Sequence, residues 1–118
     1  FVFEVGYFVD VFQNKWFDTI YHEHLDFHTV APLEKLFIRF NMKIIKVERI
    51  SPQGGSIRVM TQKKGGNFKE DKSVKTLISL ERSLGLNKPD TLIQFGNQIN
   101  TIKEMFSQMG DLLKTKIK

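Results

Sequence analysis

A glycine-containing turn between two alternating segments constrains the fold of this chain more than any other feature. Residues 43–50 and 56–62 alternate apolar and polar side chains, and residues 51–55 between them contain a proline and two glycines. Alternation with a period of two is typical of a half-buried strand, and a short turn of this kind joins antiparallel strands. The sequence therefore predicts a β-hairpin.

The alternation also predicts which side chains of the hairpin share a face of the sheet. In the first strand, Ile45 and Val47 are expected on one face and Ile44 on the other. In the second strand, Ile57 and Val59 are expected to lie on the same face. These assignments follow because successive residues of a strand point to opposite faces.

The remaining apolar patterns predict one further strand and several helices. A buried strand over residues 1–5 is expected to end at Gly6, because glycine commonly interrupts a strand pattern. The other predicted elements are a loop or short helix over 7–12, a helix over 29–40, a polar linker over 65–72, a helix over 73–84 and a long helix from Pro89.

Short polar residues and a glycine mark the ends of the predicted helices. Thr29 and Asp90 are each expected to cap a helix start, because their side-chain oxygens can accept hydrogen bonds from free N–H groups. Asn41 and Gly85 are each expected to end a helix, since both residue types tolerate left-handed backbone.

The last helix carries an apolar stripe with a period near 3.5 residues. Such a stripe is typical of a helix that packs against one partner helix, and Met and Phe residues at this spacing are more typical of a core or an interface than of a cofactor pocket. Together with exposed sheet edges, it predicts self-association as a homo-oligomer. The stripe consists of Leu92, Phe95, Ile99, Ile102, Phe106, Met109 and Leu113.

The net charge of +5 is unevenly distributed along the chain. Residues 1–60 contain seven basic and seven acidic side chains, whereas residues 61–118 contain eleven basic and six acidic ones. The excess consists mostly of scattered lysines without interleaved aromatic residues, which is more typical of solvated surfaces than of a nucleic-acid interface. A noncatalytic basic interaction module stays open as an alternative.

Composition bounds the size, chemistry and location of the chain. Its 118 residues fit a single domain with one modest core. The absence of cysteine excludes disulfides, thiolate zinc sites and cysteine nucleophiles from these residues. Neither an 18-residue apolar run nor a signal-peptide pattern is present, which predicts a cytoplasmic location without a membrane partner. The apolar start without methionine predicts an excised fragment.

Residues 21–24, Tyr-His-Glu-His, form the densest group of titratable side chains in the chain. Histidine has the unperturbed pKa closest to neutrality, so a nearby carboxylate or partial burial can make it a general base or a metal ligand. A metal site would use His22, Glu23, His24 and His28. Adjacent positions do not point together in a regular element, which disfavours that alternative without excluding it.

Three motifs follow one another in a defined order. They are FEVxYF at 3–8, FDxIYxEH at 17–24 and GGSIR at 54–58. In this order and at these distances, the motifs resemble the S-adenosylmethionine-dependent sugar C-methyltransferase family. Enzymes of that family methylate a carbon of nucleotide-linked keto-deoxysugars, which would be the substrate partner of this chain.

The resemblance implies a larger α/β enzyme of which this chain is one part. Residues 1–66 would hold late strands and the terminal antiparallel hairpin of a Rossmann-like methyltransferase domain, and residues 67–118 would form a linker and helices joining a C-terminal domain. S-adenosylmethionine is implied as the cofactor of the full-length enzyme, with zinc only in an N-terminal domain outside this chain. The sequence lacks a glycine-rich cofactor loop and an acidic ribose anchor, so these residues alone are not expected to form a complete cofactor site.

Methylation of a carbon next to a ketone requires a base that removes the C–H proton and groups that stabilise the enolate oxygen. By resemblance, His24 matches the base, and Tyr21 and Glu23 match catalytic positions that orient the sugar or the imidazole. His22 lies at a variable position of the family, so we expect it to be a bystander.

Four further residues are candidates for substrate binding. Glu4 and Tyr7 belong to the first motif, where Glu4 is expected either to contact the substrate or to make a structural hydrogen bond. Arg58 is expected either to meet a phosphate or to pair with an acid. Gln53 stands where the family often has a histidine, and it can form hydrogen bonds but cannot shuttle a proton at neutral pH. This departure leaves the identity of the sugar and the methylated carbon open.

Overall fold

The structure, a computed structural model, describes residues 1–19, 22, 24–51 and 55–117. It divides into two compact units, Phe1–Asn87 and Lys88–Lys118. The elements of the first unit are β1 (Val2–Gly6), α1 (Phe8–Asn14), a 3-10 turn (Phe17–Thr19), α2 (Val30–Arg39), β2 (Met42–Ile50), β3 (Ser56–Lys63) and α3 (Lys72–Ser83), and the second unit contains α4 (Pro89–Lys116).

The three strands form one antiparallel sheet in the order β1-β3-β2. The pairing of β2 with β3 confirms the predicted hairpin, and β1 adds to the other side of β3 with Phe3 opposite Val59. The chain is therefore an α/β structure, in which helices α2 and α3 contact β2. Its core lies between these helices and the apolar face of the sheet, and it contains Val30, Leu33, Ile44, Val47, Ile57, Val59, Val74, Leu77 and Ile78.

The predicted faces of β2 are wrong, because the strand contains a β-bulge. Ile44 pairs with Thr61 and Lys46 pairs with Met60, so Ile45 is an extra residue between two consecutive positions of β3. An extra residue shifts the alternation by one position. As a result, Ile44 is buried together with Val47, whereas the simple alternation had placed them on opposite faces.

The N-terminal ends of two helices differ from the predictions. Thr29 occupies the N-cap position of α2, but its side chain makes no capping hydrogen bond. The prediction for Asp90 is wrong, because α4 begins at Pro89 and has Lys88 as its N-cap. Proline is favoured at the first helical position, because its fixed φ suits the helix and because an N–H group at this position would have no partner within the helix. Asp90 therefore lies in the first turn.

The predicted helix ends at Asn41 and Gly85 are confirmed. Asn41 has a φ of 56° directly after Phe40, and Gly85 has a φ of 74° directly after Leu84. A left-handed residue at this place turns the chain away from the helix axis while its N–H bonds to a carbonyl of the last turn.

Helix α4 has 28 residues and forms the second unit. Phe106, Met109 and Leu113, which belong to the predicted apolar stripe, are all more than half exposed. None of the helices formed by the described residues combines the length and the apolar character that a membrane span requires.

Candidate active site

A cleft of about 340 Å³ lies where β1 runs into α1. Its walls come from the start of α1, the 3-10 turn, the segment 24–28 and the residue that precedes β3. Its lining is mostly apolar with several polar side chains, which is the usual composition of a small-molecule site. The described residues that line it include Tyr7, Asp10, Trp16, Thr19, His24, His28 and Gly55.

His24, the predicted base, lies in the wall of this cleft. Its Nδ1 atom is 2.7 Å from the carbonyl oxygen of Thr19. A carbonyl oxygen can only accept a hydrogen bond, so the neutral ring carries its proton on Nδ1 and its lone pair on Nε2. The Thr19 hydroxyl in turn donates to the carbonyl of Trp16 at 2.7 Å. The local backbone therefore holds the imidazole in the tautomer that a base acting through Nε2 requires.

The ring of His24 also has an aromatic neighbour within the same segment. The Phe27 ring meets it edge to face, with the ring centroids 6.3 Å apart. Edge-to-face packing restricts the rotation of both rings. The hydrogen bond to the Thr19 carbonyl and the contact with the Phe27 ring both restrict the position of the imidazole in the cleft.

Tyr7, a predicted substrate-binding residue, lines the cleft but has a completely buried side chain. Its hydroxyl donates to Oε1 of Glu81 at 3.0 Å. Burial, and next the neighbouring Glu81 carboxylate, raise the pKa of the Tyr7 hydroxyl far above its usual value. The hydroxyl therefore stays a protonated donor to Glu81 at neutral pH.

Glu81 supplies the cap that Thr29 was predicted to supply. Its Oε1 accepts the N–H of Val30 at 2.6 Å, and its Oε2 accepts the N–H of Ala31 at 2.9 Å. A carboxylate at a helix start satisfies free N–H groups and interacts favourably with the helix dipole. Glu81 thereby anchors the beginning of α2, directly after the cleft segment that carries His24.

The sequence contains a signal for Glu81 that the motif-based reasoning missed. Glu81 follows Val74, Leu77 and Ile78 at helical spacings of seven, four and three, so it lies on the apolar face of α3. An acidic residue on an apolar face has to find hydrogen-bond donors, because a buried charge without partners is very costly. Its partner, the start of α2, is about 50 residues away and could not be read from the local pattern.

Asp10 is a residue of the cleft that the motif-based reasoning also missed. The Arg49 guanidinium donates to Oδ1 of Asp10 and lies 5.5 Å from the centroid of the Tyr7 ring. Gly55 has a φ of 149°, and a Cβ at that position would overlap the Asp10 carboxylate. The available signal was the position of Asp10 as the only charged residue between Tyr7 and Phe12.

Glu4 and Arg58, both predicted to bind substrate, face each other on β1 and β3. Arg58 donates to Oε1 of Glu4 at 2.7 Å and lies 3.5 Å from Oε2 of Glu48 on β2. The hydrogen bond to Glu4 is the main reason why the pKa of Arg58 is raised. Neither residue is among the described residues that line the cleft. The structure therefore brings together His24 and Tyr7 but places Glu4 and Arg58 in a separate cross-strand ion-pair network.

Three predicted site residues, Tyr21, Glu23 and Gln53, lie outside the described residues. Among the residues that are described, no three histidine or acidic side chains converge as metal ligands. His28 instead lies with its Nε2 atom 2.9 Å from Asp26. The proposed metal cluster included Glu23, so it is not tested in full.

The amino-acid sequence matches the family model of the C-methyltransferase C-terminal domain over residues 51–118. This match covers more than half of the 118 residues. The chain belongs to the C-methyltransferase family. The family predicted from the three motifs is thereby confirmed at the level of C-methyltransferases.

A second similarity extends over nearly the whole chain. The sequence is 27% identical to C-methyltransferase NovU of Streptomyces niveus over 109 residues, which is 92% of this chain and 26% of that relative. The chain thus spans about a quarter of the length of this C-methyltransferase. A match of this extent necessarily includes the position of His24 as well as the hairpin.

Proposed function

We propose that this chain is part of a C-methyltransferase in which His24 removes a proton from the carbon next to the keto group of a nucleotide-linked deoxysugar. The observation that carries the proposal is the hydrogen bond between His24 Nδ1 and the Thr19 carbonyl inside the cleft. It fixes the tautomer in which Nε2 accepts a proton. Membership of the C-methyltransferase family supplies the class of reaction.

The proton transfer creates the carbon nucleophile that methylation requires. The C–H proton moves to Nε2 of His24, and the electron pair of that bond shifts into the carbon–carbon bond while the keto oxygen becomes an enolate oxygen. We assign Tyr21 and Glu23 the role of orienting the sugar or the imidazole. A donor close to the enolate oxygen would lower the barrier further.

The methyl donor suggested by the family is S-adenosylmethionine, which supplies an electrophilic methyl group when bound. The described residues do not fit a complete binding site for it. Their three strands are antiparallel, and none of the described strands leads through a glycine-rich loop into a helix. We therefore place the donor site outside the described residues, in a Rossmann-like domain to which residues 1–66 contribute.

The experiment compares His24→Ala with wild type in the full-length protein that contains this chain. The assay measures transfer of a labelled methyl group from S-adenosylmethionine to a nucleotide-linked keto-deoxysugar. We expect kcat to fall about 10²- to 10⁴-fold, which is the usual contribution of a positioned base. Exchange of the substrate C–H proton with deuterated solvent should fall in parallel.

His22→Ala is the matched control, because it removes an imidazole two positions away that has no assigned role. We expect its methyl transfer and proton exchange to remain close to wild type. Turnover by His24→Ala at the wild-type rate would refute the assignment of His24 as the base.

A further inference from the structure

The Asp10 carboxylate combines a fixed position with unused hydrogen-bonding capacity. Its side chain is only 13% exposed, yet it lines the same cleft as His24. Oδ1 accepts from Arg49, and the described residues provide no hydrogen bond to Oδ2. An ionised carboxylate has about four acceptor sites, so Asp10 can accept further donors without losing Arg49.

Two neighbours restrict the position of the carboxylate. Arg49 binds it directly and is itself located over the Tyr7 ring, whose hydroxyl is bound to Glu81. On another side, Gly55 lets the carboxylate approach the backbone at a place where any Cβ would overlap it. An acceptor that is already held in its bound position loses little conformational entropy when a ligand arrives.

The charge of Asp10 limits which part of a substrate it can contact. An ionised carboxylate only accepts hydrogen bonds, so it can bind hydroxyl groups through charge-assisted hydrogen bonds but cannot bond to the oxygens of an ionised diphosphate, which are also acceptors. A nucleotide-linked sugar carries both kinds of group. Asp10 therefore favours an orientation in which the sugar ring, and not the diphosphate, lies on its side of the cleft.

We propose that Asp10 is a substrate-binding residue that accepts a hydrogen bond from a hydroxyl group of the sugar, with Arg49 orienting the carboxylate. The proposal rests on the proposed function, because it takes the nucleotide-linked keto-deoxysugar as the ligand. It places a specificity determinant in α1, in the same cleft as the base but distinct from the Tyr-His-Glu-His motif. The sugar hydroxyls, and not only the keto carbon, would then decide which substrates are methylated.

The test combines a substitution in the protein with the removal of single hydroxyl groups from the substrate. Wild type and Asp10→Ala are assayed, in the full-length protein, with a nucleotide-linked keto-deoxysugar and with analogues that each lack one hydroxyl. For one analogue, wild type should show a KM about 10- to 100-fold higher than for the parent sugar, as expected for a hydrogen bond to a charged group. Asp10→Ala should raise the KM of the parent sugar by a similar factor and no longer distinguish that analogue. Its kcat should stay near wild type, because His24 is intact.

Two further variants separate substrate binding from a merely structural role. Glu70→Ala is the matched control, since it removes an acid whose carboxylate lies 3.3 Å from Lys43 in another ion pair of β2. It should leave both KM values unchanged. If Asp10→Ala does not fold, Arg49→Met takes its place and should raise the KM of the parent sugar in the same direction by a smaller factor.

The outcomes distinguish this proposal from the proposed function. Suppose that wild type transfers methyl groups, but that wild type and Asp10→Ala show the same ratio of KM values between each analogue and the parent sugar. The Asp10 proposal is then overturned and the proposed function stands. If wild type transfers no methyl group, calorimetry of sugar-nucleotide binding decides whether the Asp10 proposal stands. Binding that is weakened by Asp10→Ala, and by loss of the same hydroxyl, supports the Asp10 site alone. Absence of binding to wild type overturns both proposals.

Discussion

Replacement of Glu81 by alanine should destabilise the chain more than most single substitutions do. Glu81 is only 3% exposed, and its carboxylate accepts three hydrogen bonds, from the Tyr7 hydroxyl and from the N–H groups of Val30 and Ala31. Each bond to a charged group contributes about 1.5–3 kcal/mol, and a buried donor that loses its partner costs about 1–3 kcal/mol. Water entering the vacated space would satisfy some of these donors.

We therefore expect Glu81→Ala to lower the free energy of unfolding by about 3–5 kcal/mol. A loss of this size is a large part of the total for a single domain, about 5–15 kcal/mol. Urea denaturation of the purified chain measures it, followed by circular dichroism and by fluorescence of Trp16, which is the single tryptophan. Tyr7→Phe removes one of the three bonds to the carboxylate and should cost about 1.5–3 kcal/mol.

The matched control is Glu104→Ala, which removes an exposed acid from α4. Surface substitutions of this kind usually change stability by less than about 0.5 kcal/mol. A cost below about 1 kcal/mol for Glu81→Ala would contradict the reasoning from unpaired buried donors. The combined variant with Tyr7→Phe then measures the coupling, because the two changes share one hydrogen bond and should cost less together than the sum of the single costs.

Two further predictions concern pH and backbone geometry. The folded pKa of Tyr7 is raised above its unfolded value, so the stabilisation by its protonated hydroxyl is complete below about pH 10 and is lost as the pH rises further. The urea midpoint of unfolding should therefore fall less steeply with rising pH in Tyr7→Phe than in wild type. Equal pH dependence of the two midpoints would contradict the role of burial. Gly55→Ala should cost about 1–3 kcal/mol, since it strains a positive φ and overlaps Asp10. Its control is Gly110→Ala, because a Cβ at that position in α4 meets open space. This substitution should stabilise the helix by about 0.5–1 kcal/mol. Similar changes in the free energy of unfolding for the two variants would refute the overlap at Gly55.

The candidate site depends on a connected series of contacts across three elements. Glu81 of α3 binds Tyr7, the Tyr7 ring supports Arg49 of β2, and Arg49 binds Asp10 of α1. In addition, the N–H of Phe8 donates to the His28 carbonyl at 2.9 Å, which ties the start of α1 to the cleft segment. Substitution of Glu81, which does not line the cleft itself, should therefore alter the cleft indirectly through Tyr7 and Arg49.

The sequence by itself determined the features that depend on neighbouring residues. Alternation located the strands of the hairpin, and the left-handed residues Asn41 and Gly85 ended the helices as expected, because turn and cap preferences act over a few residues. The three motifs identified the family, and the composition of residues 21–24 drew attention to His24. The roles of Tyr21, Glu23 and Gln53 stay predictions.

Only the tertiary structure decided the features that depend on distant partners. The bulge at Ile45 is accompanied by a hydrogen bond from the N–H of Asp71 to its carbonyl at 2.7 Å, and Glu81 caps a helix about 50 residues before it. Asp10 became a candidate only once Arg49 and Gly55 were seen beside it. A local pattern shows that a polar or charged group needs a partner, but the choice among distant partners is made by the packing of the whole chain.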